Sequence, residues 1–458
     1  MAEKLLELLG KSKEELRAMC AAMGEPAYRG GQIYHALYAE RKFDVARMTN
    51  LPAAFRARLA NEATITLPEV RQRFASADGS VRYLLSLAEV GRRADFNTEE
   101  TGEHEKDSSK KETERPKREK LANAAAVEAV FMPSEGRQTI CISTQAGCAV
   151  NCQFCLTAQL GLIRNLTAAE IVGQVLVALE ENRPAHQQTQ ETPSAGNKEQ
   201  DAGLELGAKW VGARDARRMA AGKNKGKNAE ANAGTAAPSE AHAAADDQIQ
   251  TNVVLMGQGE PLLNFDAVMA ALRIMLDAEG IGLSPKHVTL STSGIVPGIE
   301  RLALEKVRPK LAISLNASND EQRDVLMPIN KKYPLSVLLE ACKKYPLRPW
   351  EHLTFEYVML GGVNDAPEDA RRVVRLLAPL RSVKVNLIPW NPGELPYHES
   401  SPERIEEFRR ILTDKGVPAF VRYSRGRDVM AACGQLALLQ IQGSSAPHRT
   451  SSQGLNSS

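Results

Sequence analysis

No apolar run in these 458 residues is long enough to span a bilayer, so no membrane partner is expected. Charge of one sign is lacking too: 58 Lys and Arg against 56 Asp and Glu leave a net charge of +2. No global field advertises nucleic acid, and any RNA contact must come from local patches. Cysteine is sparse, with seven scattered along the chain. That is too dispersed for a disulfide framework, and a reducing, cytoplasmic setting suits such thiols best. The N-terminus lacks the uninterrupted apolar stretch of a signal peptide. Leu5, Leu6, Leu8 and Leu9 are broken up by Glu3, Lys4, Glu7 and Lys11, which predicts the start of an amphipathic helix.

What is present centres on Gly147-Cys148-Ala149-Val150-Asn151-Cys152-Gln153-Phe154-Cys155. Three cysteines in so short a loop can gather around one point, and thiolates are the ligands that soft metals and iron–sulfur clusters select. No second C-x-x-C pair completes a four-ligand structural zinc site. Cys141, the nearest other cysteine, lies on an expected strand. Three ligands on a four-iron cube leave one iron open to a substrate or cofactor. Zinc and buried free thiols stay open as alternatives on spacing alone.

The chain divides by composition. Residues 1–63 read as a small helical domain, with Arg29, Arg41, Lys42, Arg47, Arg56 and Arg58 on a solvated or RNA-contacting face. Residues 64–96 form a β-hairpin region, with Asp78-Gly79 as its turn. Residues 97–123 and 184–247 are expected as disordered insertions, and 443–458 as a disordered tail, because they carry too little large apolar surface to offset ordering. Between them, 124–183 and 248–442 alternate strands and helices. Strands are expected at Val127–Met132, Thr139–Ser143, Val253–Met256, His287–Leu290, Leu311–Leu315, Leu353–Met359, Val383–Ile388 and Ala419–Tyr423. Thr167 and Glu170 read as a capping box opening a helix. The expected class is α/β: a partial (β/α)6-type barrel with a parallel sheet and helices outside.

Parallel α/β sheets put their ligands at the carboxyl ends of the strands. The polar and glycine signals cluster there: the cysteine loop, Gly257-Gln258-Gly259-Glu260-Pro261, Ser291-Thr292-Ser293-Gly294, Ser314-Leu315-Asn316 and Pro389-Trp390-Asn391-Pro392. The second of these is no dinucleotide fingerprint, because the third glycine is missing. Near the C-terminus, Cys433 is flanked by Ala431-Ala432 and Gly434. On sequence physics a buried structural cysteine is the commoner outcome for such a residue.

Cys148-x-x-x-Cys152-x-x-Cys155 followed by Gly257-Gln258-Gly259-Glu260-Pro261 resembles a radical S-adenosylmethionine enzyme. Gln145-Ala146-Gly147-Cys148, Arg164-Asn165-Leu166, Leu290-Ser291-Thr292-Ser293-Gly294, Ile388-Pro389-Trp390-Asn391-Pro392 and Ala431-Ala432-Cys433-Gly434-Gln435-Leu436 extend that resemblance to the RlmN family. The family methylates carbon 2 of an adenosine in 23S ribosomal RNA and, in some bacteria, in transfer RNA. The resemblance implies that Cys148, Cys152 and Cys155 hold one [4Fe–4S] cluster. It implies that Gly259, Glu260, Ser291, Ser314, Asn316 and Asn391 contact S-adenosylmethionine, of which two molecules are used per turnover. Cys433 would carry a methyl group, Cys141 would resolve the protein–RNA link through a transient disulfide with Cys433, and Glu128 would accept a proton. Asn316 departs from the family's usual His and cannot carry a proton. The resemblance also implies an electron donor such as flavodoxin and a monomeric enzyme. Two rivals remain: a sister enzyme that methylates carbon 8 of the same adenosine, and a non-catalytic iron–sulfur RNA-binding protein.

Overall fold

Chain order and sheet order coincide in this protein. A computed structural model describes residues 5–87, 126–183, 249–393, 395–432, 434 and 435. The segments expected as insertions and tail, and Cys433, lie outside the described residues. Apart from Arg183, the described residues belong to one compact unit.

The chain begins extended, not helical as the leucine pattern predicts. Leu6–Glu7 pairs in parallel with Ala63–Thr64, while Leu8 and Leu9 are buried in the core. Gly10, at φ 80°, then turns the backbone. Ser12 and Glu15 form a capping box that starts helix α1 (Lys13–Ala22). A cap this specific overrides the apolar spacing upstream of it. Helices α2 (Tyr28–Tyr38) and α3 (Ala53–Glu62) complete the segment. Several of its basic residues are engaged locally: Arg41 pairs with Glu180, Lys42 with Glu40 and Arg58 with Glu62.

An antiparallel meander follows: β1 (Glu69–Ala75), β2 (Val81–Ser86) and β3 (Ala126–Ser134). The expected Asp78-Gly79 turn is present, with Gly79 at φ 81°. Strand β3 pairs antiparallel with β4 (Arg137–Cys141). From β4 onward neighbouring strands are parallel: β5 (Gln250–Leu255), β6 (Val288–Thr292), β7 (Lys310–Ser314), β8 (Leu353–Met359), β9 (Val383–Pro389) and β10 (Ala419–Val421). Each strand of this ten-stranded sheet hydrogen-bonds to the one before it in sequence, and the two edges have no further strand among the described residues.

In chain order the further helices are α4 (Leu156–Gln159), α5 (Ala168–Glu181), α6 (Phe265–Leu276), α7 (Val296–Leu304), α8 (Asp320–Leu326), α9 (Leu335–Lys344), α10 (Pro367–Leu377) and α11 (Pro402–Asp414). The expected Thr167/Glu170 box caps α5. Val253, Leu255, Val288, Leu290, Leu311, Ile313, Phe355, Tyr357, Val385 and Leu387 join the helices in one apolar core. The alternating residues on the opposite, concave face include Ser291, Ser314, Lys384 and Asn386, which are only half-buried. That alternation keeps one face for the core and frees the other for a ligand. Among the described residues no helix is long and apolar enough to cross a membrane.

Candidate active site

The cysteine loop leaves β4 through a small hairpin that the sequence patterns did not reveal. Gln145–Gly147 pairs antiparallel with Leu162–Asn165. Gly147 sits at φ 72°, where a Cβ would fall 1.9 Å from the Gly161 carbonyl oxygen, so only glycine fits. Backbone bonds fix the rest of the loop. Cys148 N donates to Gly161 O at 2.9 Å, Gln153 N to Leu326 O at 2.9 Å, and Leu156 N to Gly434 O at 2.8 Å. Beneath it, Phe154, Leu156, Leu326, Met327, Leu360, Trp390 and Leu395 form an apolar cluster separate from the main core.

Gln145 joins this hairpin to the glycine loop after β5. Its Nε2 donates to Asn165 Oδ1 at 2.7 Å, and its Oε1 accepts from Glu260 N at 2.8 Å. Gly259, at φ 98°, leaves no room for a Cβ against Gln145. Glu260 is fully enclosed. Its carboxylate accepts from Leu262 N at 3.1 Å and Ser293 N at 2.6 Å. Burial raises its pKa, against the opposing pull of the Ser293 hydrogen bond.

One cleft collects these elements. Cys148, Cys152, Cys155, Gly259, Glu260, Ser291, Ser314, Asn316 and Asn391 all line it, together with Glu356, Met327 and Gly434. It encloses about 980 Å³ of atom-free space, its open mouth included. The residues come from the carboxyl ends of successive parallel strands, where such a fold presents ligand sites. Asn316 is at φ 55° and is tied into the wall. Its Oδ1 accepts from Val358 N at 2.8 Å, and its Nδ2 lies 3.3 Å from Met327 Sδ.

The donor set fits an iron–sulfur cube. Burial, then neighbouring negative charge, pushes the Cys148 thiol up to about 12 despite a hydrogen bond from Val150, and burial likewise raises Cys152 well above the usual thiol range. Without metal the Cys148 and Cys152 thiols hold their protons, and bound iron would supply the positive charge that favours thiolates. Among the described residues no group of three or more His, Cys, Asp or Glu converges on a single ion. Thiolates on three corners of a cube stand farther apart than ligands of one zinc.

Cys141 and Glu128 lie beside the cleft, not in its lining. Cys141 packs with Val130, Ala431 and Met256, and Met256 is itself a cleft residue. Glu128 is buried. Its Oε1 accepts from Arg82 Nη1 at 2.8 Å and its Oε2 from Gln258 Nε2 at 3.4 Å. Burial raises its carboxyl pKa to about 7 even with Arg82 beside it. The segment Ser424–Ala432 crosses from β10 to the meander. Asp428 accepts from Ser76 Oγ, and Asp78 accepts from Gly426 N.

Two residues escaped the sequence reading. Glu356 is a buried acid in the cleft wall whose Oε1 accepts from Asn386 Nδ2 at 3.0 Å; its signal was one charge inside the apolar run Leu353–Met359. Arg323 is fully buried. Its guanidinium donates to the carbonyls of Ser293, Ser314 and Leu315 and to Asn330 Oδ1. It thereby locks the ends of β6 and β7 together behind the cluster loop.

Comparison with known proteins agrees with this geometry. Residues 6–65 match the family model "Ribosomal RNA large subunit methyltransferase N-terminal domain", and 237–377 match "Radical SAM superfamily". The second match begins downstream of the cysteine loop, so relatives spanning the whole chain decide the matter. A probable dual-specificity RNA methyltransferase RlmN of Koribacter versatilis is 40% identical over 92% of this chain and 98% of its own length. The chain belongs to the RlmN family. The RlmN of Paracoccus denitrificans is likewise 40% identical, over 94% of this chain and 89% of its own. A crystal structure of a radical SAM methyltransferase from Sphaerobacter thermophilus superposes with a TM-score of 0.69 at 33% identity, covering 94% of this chain and 99% of that one. This RlmN-family chain is therefore a radical SAM RNA methyltransferase. Its superfamily uses S-adenosylmethionine and a [4Fe–4S] cluster, and the cleft offers thiols and polar walls for both.

Proposed function

We propose that this chain methylates carbon 2 of an adenosine in 23S ribosomal RNA, and of an adenosine in transfer RNA, by way of a methylated cysteine. The observation that carries the proposal is the convergence of nine residues from separate stretches on one cleft. Cys148, Cys152 and Cys155 would hold the cluster, and Gly259, Glu260, Ser291, Ser314, Asn316 and Asn391 would seat S-adenosylmethionine. Bound there, a cluster would supply the electron for reductive cleavage of S-adenosylmethionine, the source of the hydrogen-abstracting radical.

Carbon 2 of adenine is electrophilic, so transfer of a methyl cation to it fails. A protein carbon radical can add there. Cys433 would therefore take a methyl group from one S-adenosylmethionine and give up a hydrogen atom from that methyl in a second round. Cys141 would then release the product through a transient disulfide with Cys433. Glu128 would accept the proton from carbon 2; a carboxyl held near neutrality is suited to that task. In this reading the enzyme works as a monomer in a reducing compartment, with a flavodoxin-type donor. Its support is the packing of Ala431 on Cys141 and the lining of the cleft by Gly434.

Nucleoside mass spectrometry tests the proposal. The chain is expressed in bacteria lacking their own enzyme, and 23S and transfer RNA are digested. 2-Methyladenosine that disappears in Cys433→Ala is the expected result. 8-Methyladenosine would move the chain to the sister activity. Neither product from cluster-loaded protein would refute both.

A further inference from the structure

Below the cleft, the concave face of the sheet does not become apolar. The register places Thr289 beside Lys310 and Thr354 beside Lys384, with Asn386 beside Phe420. These positions alternate with the core-facing residues of the same strands. The strand ends Ser314 and Ile388 line the cleft. Lys310 and Lys384 each lie four residues lower on the same face. At about 3.3 Å per residue this is roughly 13 Å of strand. A parallel sheet covered on both faces carries aliphatic side chains there. This one carries lysines, threonines and asparagines.

The charge on this lower face is lopsided. Lys310 and Lys384 are half-buried. Burial lowers both ammonium pKa values; Lys384 and Arg422 lower that of Lys310 further and Arg422 that of Lys384, while Glu351 and Glu356 respectively pull the other way. Arg422 is exposed; its Nε donates to Asn386 Oδ1 at 3.2 Å, and its guanidinium lies 5.6 Å from the centre of the exposed Phe420 ring. Among the described residues none of the three cations has a carboxylate in ion-pair contact. Glu356, in the cleft wall above them, is enclosed; burial raises its carboxyl pKa, while the Asn386 hydrogen bond, Arg422 and Lys384 pull it the other way. Three cations gathered with no carboxylate in ion-pair contact, beside an exposed ring, match the backbone and bases of a single strand.

We propose that Lys310, Lys384 and Arg422 bind the RNA phosphates flanking the target adenosine, with Phe420 as a stacking platform for a neighbouring base. The proposal rests on the RNA methyltransferase reading of the cleft above it. The adenosine enters from the lower concave face, and its base points up toward the strand ends. Bound this way, the phosphates relieve the repulsion among the three cations. The contacts carry no base information, so they position the substrate without selecting its sequence.

The test uses the cluster-loaded full chain and a transcribed, unmethylated 23S RNA fragment carrying the target adenosine. Affinity is read by fluorescence anisotropy between about 50 and 200 mM salt. The variant Lys310→Ala/Lys384→Ala/Arg422→Ala should bind at least roughly tenfold more weakly. Its log–log salt slope should be shallower by about 2, from roughly 0.7 for each of three lost single-strand phosphate contacts. S-adenosylmethionine binding by equilibrium dialysis and the cluster's absorbance should be unchanged. Arg422→Gln alone, at an exposed position that cannot compromise folding, should give about a third of the slope change. Equal affinity and slope in wild type and both variants would overturn the phosphate site while leaving the methyltransferase intact. A wild-type chain that neither binds nor methylates RNA would overturn both.

Discussion

At the scale of single residues, two side chains carry sharp expectations. Cys148→Ala removes one of the three proposed corner ligands. Iron content and the iron–sulfur absorbance should fall to background while the far-ultraviolet circular dichroism stays. Retained iron would show that the three thiols are not the ligands. Glu128 makes its own prediction through pH. Its folded carboxyl pKa is raised by burial to about 7 from 4.5, so the folded state holds a proton that the unfolded chain has already lost. Its contribution to stability is full below the unfolded value and disappears as pH rises through about 7. Measured by urea unfolding at about pH 5 and about pH 8, wild type should lose stability relative to Glu128→Gln, by up to roughly 3 kcal/mol. Parallel pH curves for the two proteins would refute the shift. Arg82→Met, which leaves that carboxylate unpaired, should cost roughly 3–5 kcal/mol at the higher pH and less at the lower.

At the scale of elements, the hairpin Gln145–Gly147/Leu162–Asn165 is the sensitive piece. Gly147→Ala would force a Cβ onto the Gly161 carbonyl at a backbone angle that alanine resists. It should lower stability by about 2 kcal/mol or more and abolish cluster loading; a variant that loads iron normally would show that the hairpin tolerates opening. The hairpin also marks the limit of what the sequence disclosed. The strands β5 to β9 and most of the helices between them were legible, because apolar runs alternate with helical spacing. The hairpin was not, because its strands are three and four residues long, too short for a periodic signal. Helix α8 was missed for a similar reason: Asp320–Leu326 buries only Arg323 and Leu326, too little for a periodic signal. The Leu5–Leu9 run was misread because pairing with Ala63–Thr64 is a long-range contact that local spacing cannot encode. The cleft residues could be assembled from scattered turns because the parallel topology sends every strand's carboxyl end to one rim. Glu128 and Cys141 were named through the family resemblance, and their place beside the cleft depends on strand register in β3 and β4.

At the scale of the whole molecule, stability is divided. The apolar cluster under the cysteine loop is separate from the main core, so loss of the metal should loosen one and spare the other. Hydrogen exchange on cluster-loaded and cluster-stripped protein should show new exchange confined to about residues 148–161 and their partners near Leu326 and Leu395. The main thermal transition should persist. Exchange spreading through β5 to β9 would mean that the cube holds the entire fold.

The sequential strand order bears on how the enzyme is made. Every strand joins the edge left by its predecessor, so a chain emerging from the ribosome can lay down its sheet one strand at a time, with no place to be kept open for a later arrival. The cleft does not share this privilege. Asn391 and Gly434 complete its wall, and Leu156 N waits for the Gly434 carbonyl. Synthesis must run past Gly434 before that wall closes. A ribosome that stalls before Gly434 would leave a folded sheet with a cysteine loop lacking its final partner, and the enzyme would be incompetent until the residues around Gly434 met a loop made far earlier.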